Sequence, residues 1–320
     1  MTSTLNRVIV RPVAGHIGAD ISNVDISRPL DDEAVQSIKD ALHRYKVIFF
    51  RGQQLDHASQ IAFGRQFGEL TYAHPHDDTP PENFPEIYTV DPKRYEKKYG
   101  ADFGVASRRR RYSYFTGWHT DVTAAVNPPA GSILRAEVVP EIGGDTQWTN
   151  LVAAYEGLSE PVKAFVDTLR AEHRYGGGYE IARSSSYAKV VQDNLLVAIH
   201  PVVRVHPVTG EKGLFVNPGF TSHIVDVSAR ESKAILDLLY AELTRPEYTV
   251  RLRWEAGTVA FWDNRATAHL APSDIEHLDL RRTLHRVTLT GDRPVGPDGR
   301  ESELVSGQEF GANHKVVVDD

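Results

Sequence analysis

Two short segments, far apart in the chain, contain residue types that together could hold a divalent metal. The first is GWHTDVT, residues 117–123, in which His119 and Asp121 are two positions apart. Side chains two residues apart project from the same face of extended backbone, so both could reach one point in space. The second segment contains His269, which follows the strand-like run Thr258–Trp262 and a polar turn. Two histidines and one carboxylate form the facial triad of non-haem Fe(II) oxygenases, with three coordination positions left open.

Two arginines follow the second histidine along the chain. Arg282 and Arg286 lie four residues apart in RRTLHRVTLTG and therefore share one face of a strand. A buried arginine at this point could bind a carboxylate through the two prongs of its guanidinium. Taken alone, Arg282 is better explained by a surface salt bridge. The combined pattern predicts a metal site with an anion-binding group beside it.

Composition narrows the kind of site and the class of protein. The chain has 320 residues, 41% of them hydrophobic, and no cysteine. Disulfides and thiolate ligands are thereby excluded, and any metal must be held by His, Asp or Glu. A formal net charge of -7 argues against a general nucleic-acid binder. No apolar run approaches the roughly 18 residues of a membrane span, and the first residues lack a secretory h-region. We expect a cytoplasmic protein with no nucleic-acid or membrane partner.

The elements that must position these residues are mostly strands. Seven runs are rich in β-branched and aromatic residues: KVIFF, SILRAEVV, LLVAIHPVVRVH, GLFVN, YTVRLRW, TVAFWD and RTLHRVTLTG. Apolar periodicity predicts helices over Asp31–Tyr45 and Ser159–Glu172, and a third helix begins at Ser228 with a capping box to Glu231. The absence of regular βαβ alternation predicts a mainly β fold with flanking helices, either a β-sandwich or a jelly roll. No domain linker is evident, so we expect a single domain over residues 1–320.

One long segment, residues 91–116, breaks this pattern. It contains four consecutive arginines, Arg108–Arg111, and several tyrosines. The run of charges is typical of a solvated surface loop. The segment could also be an active-site lid, because it runs directly into GWHTDVT. A lid of this composition would attract an anionic substrate. We also expect a flexible tail after about residue 294.

The motifs together resemble the taurine dioxygenase family of Fe(II)- and 2-oxoglutarate-dependent oxygenases, which includes taurine, alkyl-sulfate and phenoxyalkanoate dioxygenases. The resemblance runs from GADISNVDIS to TLTGDRP and includes FGELTYAHP, WHTDVT, PPAGSILRAEVVPEIGGDTQWTN and WDNRATAHLAPSD. It implies a double-stranded β-helix with His119, Asp121 and His269 as iron ligands. It also implies O₂ and 2-oxoglutarate as co-substrates, the latter being converted to succinate and CO₂.

The same resemblance implies roles for residues outside the triad. Thr146 in GGDTQW and Arg286 should bind the distal carboxylate of 2-oxoglutarate, while Arg282 helps hold the carboxylate next to the keto group. His74 in YAHP matches a histidine that contacts the sulfonate in taurine-type members, and Phe220 in NPGFT matches an aromatic wall of that pocket. Considered singly, Thr146 could be an ordinary strand residue, His74 a turn cap and Phe220 a core residue.

Two positions depart from the taurine pattern. Phe115 stands where taurine enzymes carry an asparagine four residues before the first ligand histidine, and Tyr179 stands where they carry phenylalanine. A desolvated, unpaired ammonium group is costly, so an aromatic residue there favours an apolar tail. The resemblance therefore implies hydroxylation of a small organic anion. The favoured substrate is a taurine-like sulfonate, whose hydroxylation would release sulfite and an aldehyde. Alkyl sulfates, longer sulfonates and phenoxyalkanoates are alternative substrates.

Two other classes of function account for parts of the pattern. A zinc hydrolase could use the same three ligands with metal-bound hydroxide as nucleophile, but it leaves Arg282, Arg286 and Thr146 unexplained. A jelly-roll module without catalytic activity could bind an anion through its arginine-rich loop, but this function would leave the intact set of three metal ligands unexplained. Succinate production would exclude the hydrolase, and absence of iron binding would favour the module without catalytic activity. A homo-oligomer, as a dimer or a tetramer, is left open.

Overall fold

A computed structural model describes residues 7–76, 79–99, 117–175, 186–271, 274–275 and 277–316. Its strands are β1 (Ile9–Pro12), β2 (Ala19–Ser22), β3 (Val47–Phe50), β4 (Tyr88–Val90), β5 (Gly131–Val138), β6 (Thr146–Asn150), β7 (Arg170–Arg174), β8 (Val197–Pro201), β9 (Val203–Val205), β10 (Lys212–Leu214), β11 (Thr221–Ile224), β12 (Thr249–Leu252), β13 (Val259–Asp263), β14 (Thr267–Leu270), β15 (Thr283–Leu289) and β16 (Glu303–Ser306). Its helices are α1 (Asp32–Tyr45), α2 (His57–Arg65), α3 (Pro92–Tyr99), α4 (Leu151–Glu156), α5 (Glu160–Val166), α6 (Ser186–Asp193) and α7 (Ala229–Leu243), with a 3-10 turn at Pro246–Tyr248.

The strands form one large sheet and three smaller ones. The large sheet has seven strands in the order β1-β2-β3-β13-β5-β15-β4. The smaller sheets have the orders β11-β7-β8-β16, β12-β6-β14 and β10-β9. The mainly β architecture with flanking helices agrees with the sequence prediction. Within the described ranges, no helix is both long enough and apolar enough to cross a membrane.

Strand β13 illustrates why the large sheet is buried on both faces. Val259 and Phe261 pack into one apolar cluster together with buried residues of α1 and α2. Ala260 and Trp262 pack into a second cluster that includes Trp148 of the three-stranded sheet. Alternate residues of a strand point to opposite faces, so one continuous apolar run supplies both layers. The second layer lies between the two sheets that carry the candidate site.

Two of the predicted helices are confirmed at their starts. Helix α1 begins after Asp31, whose carboxylate accepts a hydrogen bond from the Ala34 N–H at 2.8 Å. Helix α7 begins after Ser228, and the Ser228 hydroxyl and Glu231 carboxylate form the expected reciprocal capping box. Each cap satisfies backbone N–H groups that have no partner within the helix.

The helix predicted over Ser159–Glu172 is too long. Helix α5 ends at Val166, and the chain then forms β7 from Arg170 to Arg174. Strand β7 pairs with both β8 and β11, and its Ala171 is fully buried between them. Pairing on two sides outweighs the local helical pattern, which extended into this strand.

The arginine-rich segment is described only in part. Residues 92–99 form helix α3 and not the predicted loop, and residues 100–116, including Arg108–Arg111, lie outside the described residues. The choice between a lid and a surface loop therefore stays a prediction.

The segment after residue 294 differs from the predicted flexible tail. Strand β16 pairs with β8, and Phe310 is buried in an apolar cluster. The Asn127 side-chain amide exchanges two hydrogen bonds with the Phe310 backbone, at 2.8 and 3.0 Å. Farther on, the Gly311 carbonyl accepts a hydrogen bond from the Tyr72 N–H at 3.0 Å, and His314 Nε2 lies 3.3 Å from the Pro75 carbonyl oxygen. This C-terminal segment, residues 308–314, thus contacts the chain on both sides of residue 74.

Candidate active site

An antiparallel bridge brings His119 and His269 together. The His119 N–H donates to the His269 carbonyl at 2.9 Å, and the reverse bond measures 2.7 Å. His269 lies in β14, and the two ring centroids are 4.2 Å apart. The backbone at His119 is therefore extended, as the spacing of the HTD motif predicts.

Asp121 follows at the start of a turn with an unusual backbone. Val122 has a φ of 51°, a left-handed conformation that a β-branched residue rarely adopts. The next residue, Thr123, is anchored in the core: its hydroxyl oxygen accepts from Asn217 Nδ2 at 3.1 Å, and its carbonyl lies 2.8 Å from His200 Nε2. These buried contacts hold the strained turn, which in turn sets the position of the Asp121 carboxylate.

The three side chains fit a metal ion. Their ligand atoms all lie within 4.8 Å of one another, and this is the one such group of three within the described ranges. Asp121 Oδ1 is 4.0 Å from His119 Nε2 and 3.8 Å from His269 Nε2. His119 Nδ1 lies 2.8 Å from the Gly117 carbonyl oxygen, so Nδ1 carries the proton and the lone pair of the neutral ring is on Nε2.

The protonation states also suit a metal. Burial lowers the pKa of His269 to about 3, so its ring is neutral at neutral pH. For Asp121, burial would raise the pKa, but the positive charge of Arg286 and the hydrogen bond from Ser132 oppose burial, and the pKa stays well below its usual range. A neutral imidazole and an ionised carboxylate are the forms that bind a metal ion.

Arg286 lies beside the triad and not at a distance from it. Its Nη1 donates to Asp121 Oδ1, and its guanidinium carbon lies 4.8 Å from the centroid of the Tyr88 ring. Tyr88 in turn stacks on His74, with ring centroids 4.8 Å apart and planes 22° apart. The structure therefore groups Arg286 with the predicted substrate residue His74.

An aromatic wall, Phe220 and Tyr175, completes the surroundings. The Phe220 ring centroid is 6.2 Å from that of His119 and 5.7 Å from that of Tyr175. The ring centroids of Tyr175 and His74 are 5.9 Å apart. Ring contacts therefore lead from the metal ligand His119 through the aromatic wall to His74, which stacks on the tyrosine beside Arg286. Neither Tyr88 nor Tyr175 was identified from the sequence, where each looks like a single aromatic residue at a strand end. The other two predicted substrate residues, Phe115 and Tyr179, lie outside the described residues.

Arg282 occupies a separate position with Thr146. Its Nη2 lies 3.4 Å from Thr146 Oγ1, and its Nε donates to the Gly144 carbonyl at 2.8 Å. Thr146 Oγ1 also accepts a 2.9 Å hydrogen bond from the Trp254 indole. Burial lowers the pKa of Arg282 to about 10, so the guanidinium stays charged at neutral pH. Arg282 and Thr146 thus form a buried, positively charged pair that is separate from the contacts of Arg286.

Comparison with known proteins identifies the family. The profile of the family described as "Taurine catabolism dioxygenase TauD, TfdA family" matches residues 9–288. The chain belongs to this family. Members named as 2-oxoglutarate-dependent dioxygenases require Fe(II), 2-oxoglutarate and O₂, and the group His119, Asp121 and His269 fits the iron. The chain is therefore a 2-oxoglutarate-dependent non-haem iron dioxygenase that acts on a small molecule, as the sequence resemblance implies.

Three similar proteins show how far the match extends. An alpha-ketoglutarate-dependent sulfate ester dioxygenase of Pseudomonas putida is 41% identical over 301 residues, which cover 92% of this chain and 93% of that protein. An alkylsulfatase of Acinetobacter baylyi is 36% identical over 311 residues, covering 95% and 91%. A crystal structure of a taurine dioxygenase from Burkholderia xenovorans matches with a TM-score of 0.81 and 49% identity, covering 94% and 95%. The family's double-stranded β-helix is thus the fold of nearly the whole chain.

Proposed function

We propose that this enzyme hydroxylates the carbon next to the head group of an alkyl sulfate ester. The C–H bond beside the ester oxygen becomes C–OH, and the adduct then breaks its bond to the sulfate oxygen, giving an aldehyde and sulfate. Two relatives named for sulfate esters and alkyl sulfates support this substrate class. The proposal rests above all on the grouping of Arg286, Tyr88 and His74 beside the metal ligands.

Arg286 and His74 supply complementary groups for a singly charged oxyanion. Burial lowers the pKa of His74 well below its usual value, and the nearby His76 and Arg286 lower it further, so the ring is neutral. The His76 N–H donates to His74 Nδ1 at 3.1 Å, which places the ring proton on Nε2. The site thus offers one guanidinium and one neutral N–H donor, which suits a sulfate or sulfonate head.

The aromatic wall suits the carbon chain of the substrate. Phe220 packs in an apolar cluster with Val122, Leu196 and Phe310, and Tyr175 lies against that cluster. An alkyl tail gains from contact with such a surface, whereas the ammonium group of taurine would need a polar partner there. We therefore expect alkyl chains of several carbons to be preferred over taurine.

We assign 2-oxoglutarate to the buried pair formed by Arg282 and Thr146. Arg282 and Thr146 would bind its distal carboxylate, because they are the pair in contact, while Arg286 lies with the substrate residues. This assignment departs from the roles that the sequence resemblance implies, in which Arg286 joins Thr146. His119, Asp121 and His269 would hold Fe(II), which when bound activates O₂ for the oxidative decarboxylation of 2-oxoglutarate to succinate and CO₂.

A substrate panel tests the proposal. Purified enzyme with Fe(II) and 2-oxoglutarate is given alkyl sulfates, alkyl sulfonates, taurine and phenoxyacetate, and succinate is measured together with sulfate or sulfite. We expect succinate and sulfate in equal amounts, fastest with the alkyl sulfates. Faster turnover of sulfonates with sulfite release would move the assignment to that class, and phenoxyacetate as the best substrate would contradict it. The Asp121→Ala variant controls for turnover without the metal site.

A further inference from the structure

A chain of three hydrogen bonds runs from the core to the carboxylate of Asp121. The Trp262 indole Nε1 donates to Asn264 Oδ1 at 2.8 Å, and Asn264 Nδ2 donates to Ser132 Oγ at 2.8 Å. The Ser132 hydroxyl then donates to Asp121 Oδ2 at 2.6 Å. All four side chains are buried, none more than 2% exposed. The function proposed above makes no use of Ser132 or Asn264.

The chemistry of the groups allows one direction of donation along this chain. An indole N–H only donates, so the Asn264 oxygen must accept and its NH₂ group must face Ser132. The Ser132 oxygen accepts that bond and turns its own hydrogen to the carboxylate, which only accepts when ionised. Every bond from Trp262 to Asp121 is therefore fixed in direction by the first donor.

Strand pairing puts these groups side by side. Ser132 of β5 is directly opposite Trp262 of β13, and Asn264 follows two residues after Trp262, just past the end of β13. Both strands are central in the large sheet, where neighbouring strands hold them on each side. The chain of hydrogen bonds is therefore built on the most constrained part of the fold, which suits it to fix the position of another group.

We propose that Ser132, oriented by Asn264, is a positioning residue that fixes which oxygen of Asp121 faces the metal. With Oδ2 bound to the Ser132 hydroxyl, Oδ1 is the oxygen that lies 4.0 and 3.8 Å from the two histidine Nε2 atoms. Arg286 Nη1 also donates to Oδ1, so without the Ser132 hydroxyl the carboxylate would be held at that oxygen alone and could rotate about this contact. Hydrogen bonds to metal-binding carboxylates raise metal affinity by holding the binding geometry before the metal arrives. The inference rests on the proposed assignment of His119, Asp121 and His269 as ligands.

Titration of the metal-free protein with Co(II), followed by calorimetry and visible absorption, tests the role of Ser132 without relying on turnover. We expect Ser132→Ala to raise the Co(II) Kd about 10- to 100-fold and to shift the Co(II) absorption bands. Ser132→Thr keeps the hydroxyl and should restore both readouts. Thr149→Val is the matched control, because Thr149 also loses a buried hydroxyl bond, to the Leu243 carbonyl at 2.5 Å, but has no link to Asp121.

The outcomes separate this inference from the ligand assignment. If the native protein does not bind Co(II), or if Asp121→Ala binds it equally well, the ligand assignment fails and the inference fails with it. If the native protein binds Co(II) and Ser132→Ala keeps the native Kd and spectrum, the positioning role alone is overturned. Should Ser132→Ala not fold by circular dichroism, Asn264→Ala removes the donor to Ser132 instead. A weaker Co(II) affinity in that variant supports the role, and a native affinity overturns it.

Discussion

Arg282 and Thr146 come from different sheets, yet Nη2 of the guanidinium lies 3.4 Å from the threonine Oγ1. Thr146 begins β6 of the three-stranded sheet, and Arg282 immediately precedes β15 of the seven-stranded sheet. Arg286, four residues later, instead contacts Asp121 and lies over Tyr88. The two arginines thus lie in different surroundings, and under the proposed assignment their substitution should affect the binding of two different molecules.

Leucine substitutions at the two arginines should separate these roles. Arg282→Leu should raise the KM for 2-oxoglutarate, because a buried carboxylate without its charged partner loses about 2–5 kcal/mol. Arg286→Leu should raise the KM for the alkyl sulfate by a comparable factor and leave that for 2-oxoglutarate near native. Both constants are measured by succinate release in each variant. The reverse pattern would restore the roles implied by the sequence resemblance.

Removal of any one metal ligand should abolish activity. His119→Ala, Asp121→Ala and His269→Ala should each lose succinate formation and the visible charge-transfer band of the anaerobic Fe(II)–2-oxoglutarate complex, because a facial triad has no spare protein ligand. Circular dichroism should show that each variant stays folded. Near-native activity of one variant under saturating iron would remove that residue from the ligand set.

Chain length should decide substrate preference. We expect alkyl sulfates of about five to eight carbons to exceed taurine in kcat/KM by tenfold or more, which corresponds to about 1.4 kcal/mol of transition-state discrimination. The reason is that the apolar cluster around Phe220 favours contact with an alkyl chain over a charged ammonium group. The measurement compares succinate and sulfate or sulfite release at equal iron and oxygen. A tenfold preference for taurine would mean that its amine is held by groups outside the described residues.

Tyr88 should contribute to substrate binding through its ring face. Tyr88→Phe keeps the surface that contacts Arg286 and His74 and should leave the alkyl-sulfate KM near native. Tyr88→Ala removes about 0.5–2 kcal/mol of cation–π interaction and frees both neighbours to move, so this KM should rise several-fold. The KM for 2-oxoglutarate serves as the internal control. Equal effects on both constants, or a loss in the phenylalanine variant, would contradict the role of the ring.

The pH dependence of substrate binding should reflect a neutral His74. Its pKa is lowered, mainly by burial, so the ring is already neutral at about pH 6 and loses no proton as the pH rises to about 8. The alkyl-sulfate KM should therefore be flat across this range. A charged imidazole with an ordinary pKa of about 6.5 would instead make the KM rise as the pH increases through that value. His74→Gln keeps an N–H donor and should lose less affinity than His74→Leu.

The extended backbone of the HTD motif could be predicted from the sequence because it follows from local spacing, whereas His269 is identified through the second segment and the family resemblance. The HTD spacing requires extended backbone, and the structure has it at His119. The grouping of the arginines could not be predicted, because it depends on strand pairing. A register shift between Thr283 and Leu284 lies between Arg282 and Arg286, so their spacing along the chain does not say which pocket each enters. The contact between Ser132 and Asn264 could not be predicted from the sequence either, since only the pairing of β5 with β13 brings these residues together.

Tertiary contacts also explain the predictions that were wrong. The C-terminal segment has little apolar periodicity, so the sequence suggests a flexible tail, but Phe310, Gly311 and His314 each contact distant parts of the chain. Such scattered contacts leave no repeating pattern to recognise. The expectations of a cytoplasmic location and of a dimer or tetramer stay predictions from the sequence.

The same segment lies later in the chain than every residue that it has been shown to contact. A ribosome adds residues from the N-terminus onward, so all three metal ligands have been synthesised before Phe310 and His314 are added. Those late residues contact the chain on both sides of His74, through Tyr72 and Pro75. A chain that ended before residue 308 would therefore carry His119, Asp121 and His269 but lack the contacts that flank His74.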